Sequence, residues 1–282
     1  GAKRFAEAEL AASNGFFLML FSSLLFVVFG LFFAKPFIAA YTSNPETAAY
    51  GADYLSIVST FSVGLFIQVF CERIMQSQGK NLYAMLMQLV GAVVNIVLDP
   101  ILIFGLLGFP KLGVAGAAIA TVIGQMTSML FSLLVIFGKK NEVRLTFKGF
   151  KPDLASIKGI YEVGFPTIIL QAIGTVMSML LNAILIVFSE TAVAVFGAYF
   201  KVQSIAYMPL FGTTNAAMSI IAYNYGACNK KRVMRTWKIT LTAGLVLMVV
   251  MASLFLLLPN QILGMFNASP DMLRIGKSAL AI

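Results

Sequence analysis

The sequence predicts an all-α polytopic membrane protein: two six-helix lobes related by a parallel pseudo-twofold repeat, truncated at both ends. Three observations carry that expectation. First, 60% of the 282 residues are hydrophobic, 11% are charged and the mean hydropathy is +0.91, whereas a globular domain is about half apolar and a quarter charged. Second, weakly charged stretches of the roughly 20 residues that cross a bilayer recur along the whole chain. They lack the alternation in segments of about 10 residues that transmembrane strands require. Third, Lys and Arg alternate in density with those stretches.

Eight segments follow in order: Asn14–Tyr41, Ala49–Met75, Leu82–Leu107, Leu112–Gly138, Gly159–Phe188, Thr191–Tyr225, Thr236–Leu258 and a shortened Met272–Ile282. Several exceed the ~20 residues needed to cross, which permits tilt or ends that project into water. Short polar links such as Thr42–Glu46, Gln76–Lys80 and Gly108–Lys111 join them. The exception is Lys139–Lys158, a basic polar linker between a first lobe (1–138) and a second (159–282).

Single crossings put Lys3, Arg4, Arg73, Lys80, Lys139, Lys140, Arg144, Lys148, Lys151, Lys158, Lys230, Lys231, Arg232, Arg235 and Lys238 on one face. The opposite face receives Lys35, Lys111, Arg274 and Lys277, and Lys201 alone falls deep inside a span. That asymmetry makes the first face, with the inter-lobe linker, cytoplasmic. It also accounts for the formal net charge of +9 as topology, so nucleic acid is not expected as a partner.

At an offset of 225 residues, Gly1-Ala2 aligns with Gly226-Ala227, Pro45 with Pro270, Glu46 with Asp271, Gly51 with Gly276, Leu55 with Leu280 and Ile57 with Ile282. Six spans separate the copies, so both have the same orientation, as in transporters made of two parallel six-helix halves. The chain opens on Gly-Ala-Lys-Arg and closes within an apolar segment. It therefore reads as an internal piece of a twelve-span protein.

Asp99 is the residue that most needs a reason. It lies in an apolar run, where a carboxylate costs several kcal/mol without a partner, a cavity or a task. Asn95, four residues earlier, shares its helix face. The amide can donate to the carboxylate, and its carbonyl can serve a sodium ion, a cation of the kind that takes hard oxygen ligands. The alternative is that Asp99 sits near the outer end of its span, reaches water and caps the turn at Pro100. Lys201 has two readings also: a partner for an anion or buried acid, or a long side chain lining a wet cavity.

Glu72 and Arg73 close the second span on the cytoplasmic side and read as interfacial. Pro166 after Gly164, and Pro209 before Gly212, are candidates for helix bends. The run Gly113-Val-Ala-Gly-Ala-Ala-Ile-Ala-Thr121 is rich in small residues and reads as a close-packing seam.

An enzyme would need a base, a nucleophile or a metal cluster. The chain has no His, and Cys71 and Cys228 are too far apart for a metal motif. No catalytic residue, resident metal or cofactor is expected. Channel filters and repeated polar stripes are absent as well. A transporter driven by an ion gradient remains, with a non-transporting receptor or scaffold as the reading from another class.

At this point Asn95-Ile-Val-Leu-Asp99-Pro100, Gly113–Thr121, Gly164-Phe-Pro166, Tyr223-Asn-Tyr-Gly-Ala227, Gln203…Met208-Pro209…Gly212 and Arg73…Gln76…Gly79 together resemble the multidrug and toxic compound extrusion (MATE) family. The resemblance covers the whole chain, from the end of the family's helix 2 into helix 10. A further likeness, carried by Lys201, is to the branch that includes the staphylococcal multidrug exporter.

The resemblance implies a twelve-helix antiporter in a bacterial plasma membrane. It would be monomeric when intact, expelling organic and often cationic compounds in exchange for protons or sodium by alternating access. Asp99, Asn95 and Thr121 match the family's first-lobe cation site, whose helix 1 acid would precede Gly1. Lys201, Gln171 and Gln203 are the matching cavity candidates, and Pro166, Pro209 and Gly212 the bending and gating positions. Some members carry a Glu in helix 7. Here that stretch reads Ile168-Ile-Leu-Gln171, which shifts weight to the first lobe. A lipid-linked oligosaccharide flippase of the same superfamily is the runner-up; it would favour a basic cavity, for which only Lys201 is available.

Overall fold

A computed structural model describes residues 5–42, 44–138, 151–188 and 190–264, together with Leu273 and Gly276. Among the described residues every regular element is helical. Helix α1 (Phe5–Val28) passes through a π-helical turn, Phe29–Phe33, into α2 (Ala34–Tyr41). There follow α3 (Pro45–Thr60), α4 (Val63–Ser77), α5 (Asn81–Phe104), a short 3₁₀ turn Leu106–Gly108 and α6 (Gly113–Gly138). After the linker come α7 (Leu154–Phe188), α8 (Glu190–Gly226), α9 (Lys230–Leu257) and the short α10 (Pro259–Gly264).

Local chemistry sets several of these ends. Asn44 caps α3 by accepting from the Glu46 and Thr47 amides at 3.0 and 3.1 Å, with Pro45 in the first turn where its missing N–H costs nothing. Helix α5 stops at Gly105, whose φ of 74° and ψ of 43° are left-handed. A Cβ there would also lie 2.8 Å from the Lys111 nitrogen, so the position needs glycine twice over.

Six helical stretches are long and apolar enough to cross a membrane, and the bent pair α3–α4 makes a seventh. Seven of the eight expected segments are thus present. The eighth, Met272–Ile282, lies outside the described residues except for Leu273 and Gly276, as does the linker from Lys139 to Phe150. Along the described helices, exposed Leu24, Phe32, Ile96 and Leu134 present the apolar surface expected of lipid contact.

The structure corrects one segment. Ala49–Met75 is not a single helix: α3 and α4 meet at 51°, across Phe61 and Ser62. No proline is involved. The Ser62 nitrogen bonds Ser59 O, three residues back, which tightens the turn. The π-helical turn presses on the same place, since a Cβ on Gly30 would fall 2.6 Å from the Thr60 nitrogen, and Ser56 Oγ donates to Gly30 O at 3.0 Å. Conversely, α7 continues through Pro166, and α8 through Pro209 and Gly212, without an interruption of helix.

The chain forms two compact units, Lys3–Ile160 and Tyr161 onward, with the division inside α7. In the first, α6 is central and packs against α3, α4 and α5. Met75 and Met87 are fully buried beside Cys71, Ala84 and Ile136. Lipid tails are as apolar as these side chains, so the cohesion here is close packing rather than hydrophobic transfer. Asn14, fully buried on α1, accepts from the Asp153 amide at 2.9 Å and so ties the start of α7 to α1. In the second unit α8 packs on α9, and Val202 and Leu263 form a small core with Phe255 and Ile262.

Candidate functional site

Small residues place the site. A Cβ on Gly124 would sit 2.8 Å from Gly91 O and 3.2 Å from Asn95 Cβ, and one on Gly116 would sit 2.5 Å from Leu102 O. The backbones of α5 and α6 therefore approach as closely as their glycines allow. That approach carries Thr121 of α6 to Asn95 of α5. The Asn95 amide donates to Asp99 Oδ1 at 3.2 Å and, over a longer 3.5 Å, to Thr121 Oγ1. The Thr121 hydroxyl in turn donates to Ala117 O at 2.9 Å.

Asn95, Asp99 and Thr121 are thus one cluster, and all three are half-buried. With the Asn95 nitrogen turned toward Asp99 and Thr121, its carbonyl oxygen is left to accept from, or ligate, something else. Asp99 does not end its helix; α5 continues past Pro100 to Phe104. One turn beyond Thr121, Gln125 buries its Oε1 with no hydrogen-bond partner, as Thr60 and Ser62 bury their hydroxyl oxygens at the α3–α4 bend. Among the described residues no group of three metal-ligating side chains occurs.

A second carboxylate in the same unit escaped the sequence reading. Glu72, expected at the interface, is only 4% exposed. The packing of α4 against α5 and α6 covers a face that sequence position alone would leave near water. Its oxygens accept from Gln76 Nε2 at 2.9 Å and from Gln88 Nε2 of α5 at 2.8 Å, and Arg73 donates to Gln76 at 2.8 Å rather than to the carboxylate. The signal available beforehand was the four-residue spacing of Glu72 and Gln76. Asn95 and Asp99 lie seven and eleven residues after Gln88, close to two and three turns, so the three share one face of α5.

The second-unit candidates are less connected. Lys201 is exposed on α8, and Gln203, two residues on, donates to the Tyr199 hydroxyl at 3.2 Å. Gln171 is exposed on α7. No hydrogen bond joins these three among the described residues.

Fold and cluster together define a multi-pass helical membrane protein with a carboxylate–amide–hydroxyl group held between two spanning helices. The chain belongs to the MatE family, whose model matches residues 1–101 and 166–282. It is 28% identical, over its whole length, to 61% of the multidrug export protein MepA of Staphylococcus haemolyticus. It is 27% identical, over 84% of its length, to 51% of a probable multidrug resistance protein NorM of Thermotoga maritima. In fold it superposes over its full length on 62% of a MOP-superfamily transporter from Pyrococcus furiosus, with a TM-score of 0.89 and 24% identity. The chain therefore spans about three-fifths of the length of the multidrug export protein it matches.

Proposed function

We propose that the full-length protein is a secondary active transporter that exports organic, often cationic, compounds in exchange for protons or sodium. The observation that carries this reading is the Asn95–Asp99–Thr121 cluster in spanning helices of a MatE-family chain. A carboxylate at that depth is tolerated best when neutralised. A proton, a sodium ion or an organic cation each neutralises it, and only one can do so at a time. Competition for one carboxylate couples the export of one cation to the entry of another, provided the site faces each side of the membrane in turn. Asp99, the Thr121 hydroxyl and the Asn95 carbonyl would supply hard oxygen ligands to sodium.

Glu72 adds a second carboxyl group to the same unit, about 16 Å along α5 from Asp99 when measured from Gln88. The names of the relatives, multidrug export and multidrug resistance proteins, agree in class. We place the protein in a bacterial plasma membrane as a monomer, with Lys139–Lys158 in the cytoplasm. Lys201, Gln171 and Gln203 line the substrate path in this reading, and Pro166, Pro209 and Gly212 ease helix bending as the protein changes access.

The test uses full-length protein in proteoliposomes, a fluorescent organic cation, and proton and sodium gradients imposed separately. One gradient should drive cation movement, and Asp99→Asn should abolish it while the protein still purifies as a single folded species. Antiport that survives Asp99→Asn undiminished would remove Asp99 from the coupling site. Cation movement that responds to neither gradient would overturn the exchange mechanism.

A further inference from the structure

We propose that the cytoplasmic start of α9 is a binding surface for anionic phospholipids of the inner leaflet. Lys230, Lys231, Arg232, Arg235 and Lys238 lie within nine residues, about 12 Å of helix. All five are exposed. Between Thr191 and Pro270 the sequence contains no Asp or Glu, and among the described residues none of the five has an acidic partner. Clusters of 4–8 Lys and Arg at the cytoplasmic end of a spanning helix attract anionic headgroups.

Two features separate this from ordinary topological charge. The first is position along the helix. Asn229 caps α9 by accepting from the Arg232 amide at 3.1 Å, so Lys230, Lys231 and Arg232 occupy the first turn. A helix start carries a partial positive charge that disfavours cations. Three cations there, with two more in the next turns, repel the helix and each other until an external anion neutralises them.

The second is the internal repeat. At the offset of 225, Arg232 of α9 pairs with Glu7 of α1, and the stretch around Glu7 is helical as well. The element forms with an acid at that position, so forming the helix does not call for the cation.

Lys231, Arg232, Arg235 and Lys238 fall on the side of α9 turned from the half-buried positions Val233, Thr240 and Gly244. Cations at the cytoplasmic end of a spanning helix lie at the depth of the phospholipid headgroups. The inference requires that the chain spans the membrane, and it is independent of the transport reading.

The experiment compares full-length wild type with a K231Q/R232Q/R235Q variant in nanodiscs of phosphatidylcholine containing phosphatidylglycerol. Co-purifying lipid is measured by mass spectrometry after detergent extraction. Wild type should retain phosphatidylglycerol in preference to phosphatidylcholine, and the variant should lose that preference by about tenfold or more. High salt during extraction should do the same to wild type. A charge-conserving R232K/R235K variant should behave as wild type, which separates loss of charge from misfolding. Equal phosphatidylglycerol retention by wild type and the triple variant would overturn the proposal, as would equal retention of the two lipids by wild type.

Discussion

Gln88 of α5 donates to Glu72 of α4 at 2.8 Å, and this bond ties the two helices through a carboxylate that is only 4% exposed. Replacing Gln88 with Ala would leave Glu72 Oε2 buried without its donor, at a cost of about 1–2 kcal/mol. The midpoint of thermal unfolding of the full-length protein in detergent should fall. An unchanged midpoint would mean that water replaces the amide without loss.

The glycine seam supplies a second expectation. Gly116→Ala places a methyl 2.5 Å from Leu102 O, and α5 must move away from α6. The expected loss is about 1–3 kcal/mol. Gly164→Ala meets nothing within 4 Å and should be neutral or stabilising by about 1 kcal/mol, the helix-propensity gain. Thermal unfolding of the two variants side by side checks the ordering.

Asp153 makes a pH-dependent contribution whose sign can be stated. Its carboxylate accepts from the Ser156 hydroxyl at 2.6 Å and the Ser156 amide at 2.8 Å. These bonds, the hydroxyl first, hold its carboxyl below the usual carboxylate range. A depressed folded-state value means that the contribution is complete above the unfolded value of about 3.9 and is lost as pH falls through the folded one. Amide hydrogen exchange at Leu154–Ile157 should therefore be protected at neutral pH. It should accelerate in Asp153→Ala at neutral pH, and in wild type only under strong acid.

Lys201→Ala tests the division of labour between the units. If Asp99 couples the ion and Lys201 only shapes the substrate path, the variant should change the relative rates for different organic compounds several-fold while ion-driven exchange persists. Complete loss of ion exchange would move Lys201 into the coupling machinery.

Much of the fold was legible in the residues because a membrane leaves few choices. Backbone groups in lipid must bond within their own helix, so long apolar runs such as Leu112–Gly138 can be read one at a time. Pairing Asn95 with Asp99 needed only the helical period. The ends were less legible, because a helix does not stop where the membrane does. Helix α9 starts at Lys230 and α7 at Leu154, each several residues before its apolar run. The α3–α4 bend was missed because no proline marks it, and the close approach of Gly30 to Thr60 at that place comes from a different part of the chain.

The sequence by itself determined the class of protein, the number of the described spans, and the one intramembrane carboxylate that most needed a purpose. Those properties depend on hydrophobicity, charge and a period along a single helix. Only the tertiary structure decided that Thr121 comes within hydrogen-bond reach of Asn95 and that Glu72 is buried. Both depend on how closely α4, α5 and α6 approach one another. That distance is set by which glycines face which backbone atoms across the seam, a relation between helices that no single helix contains.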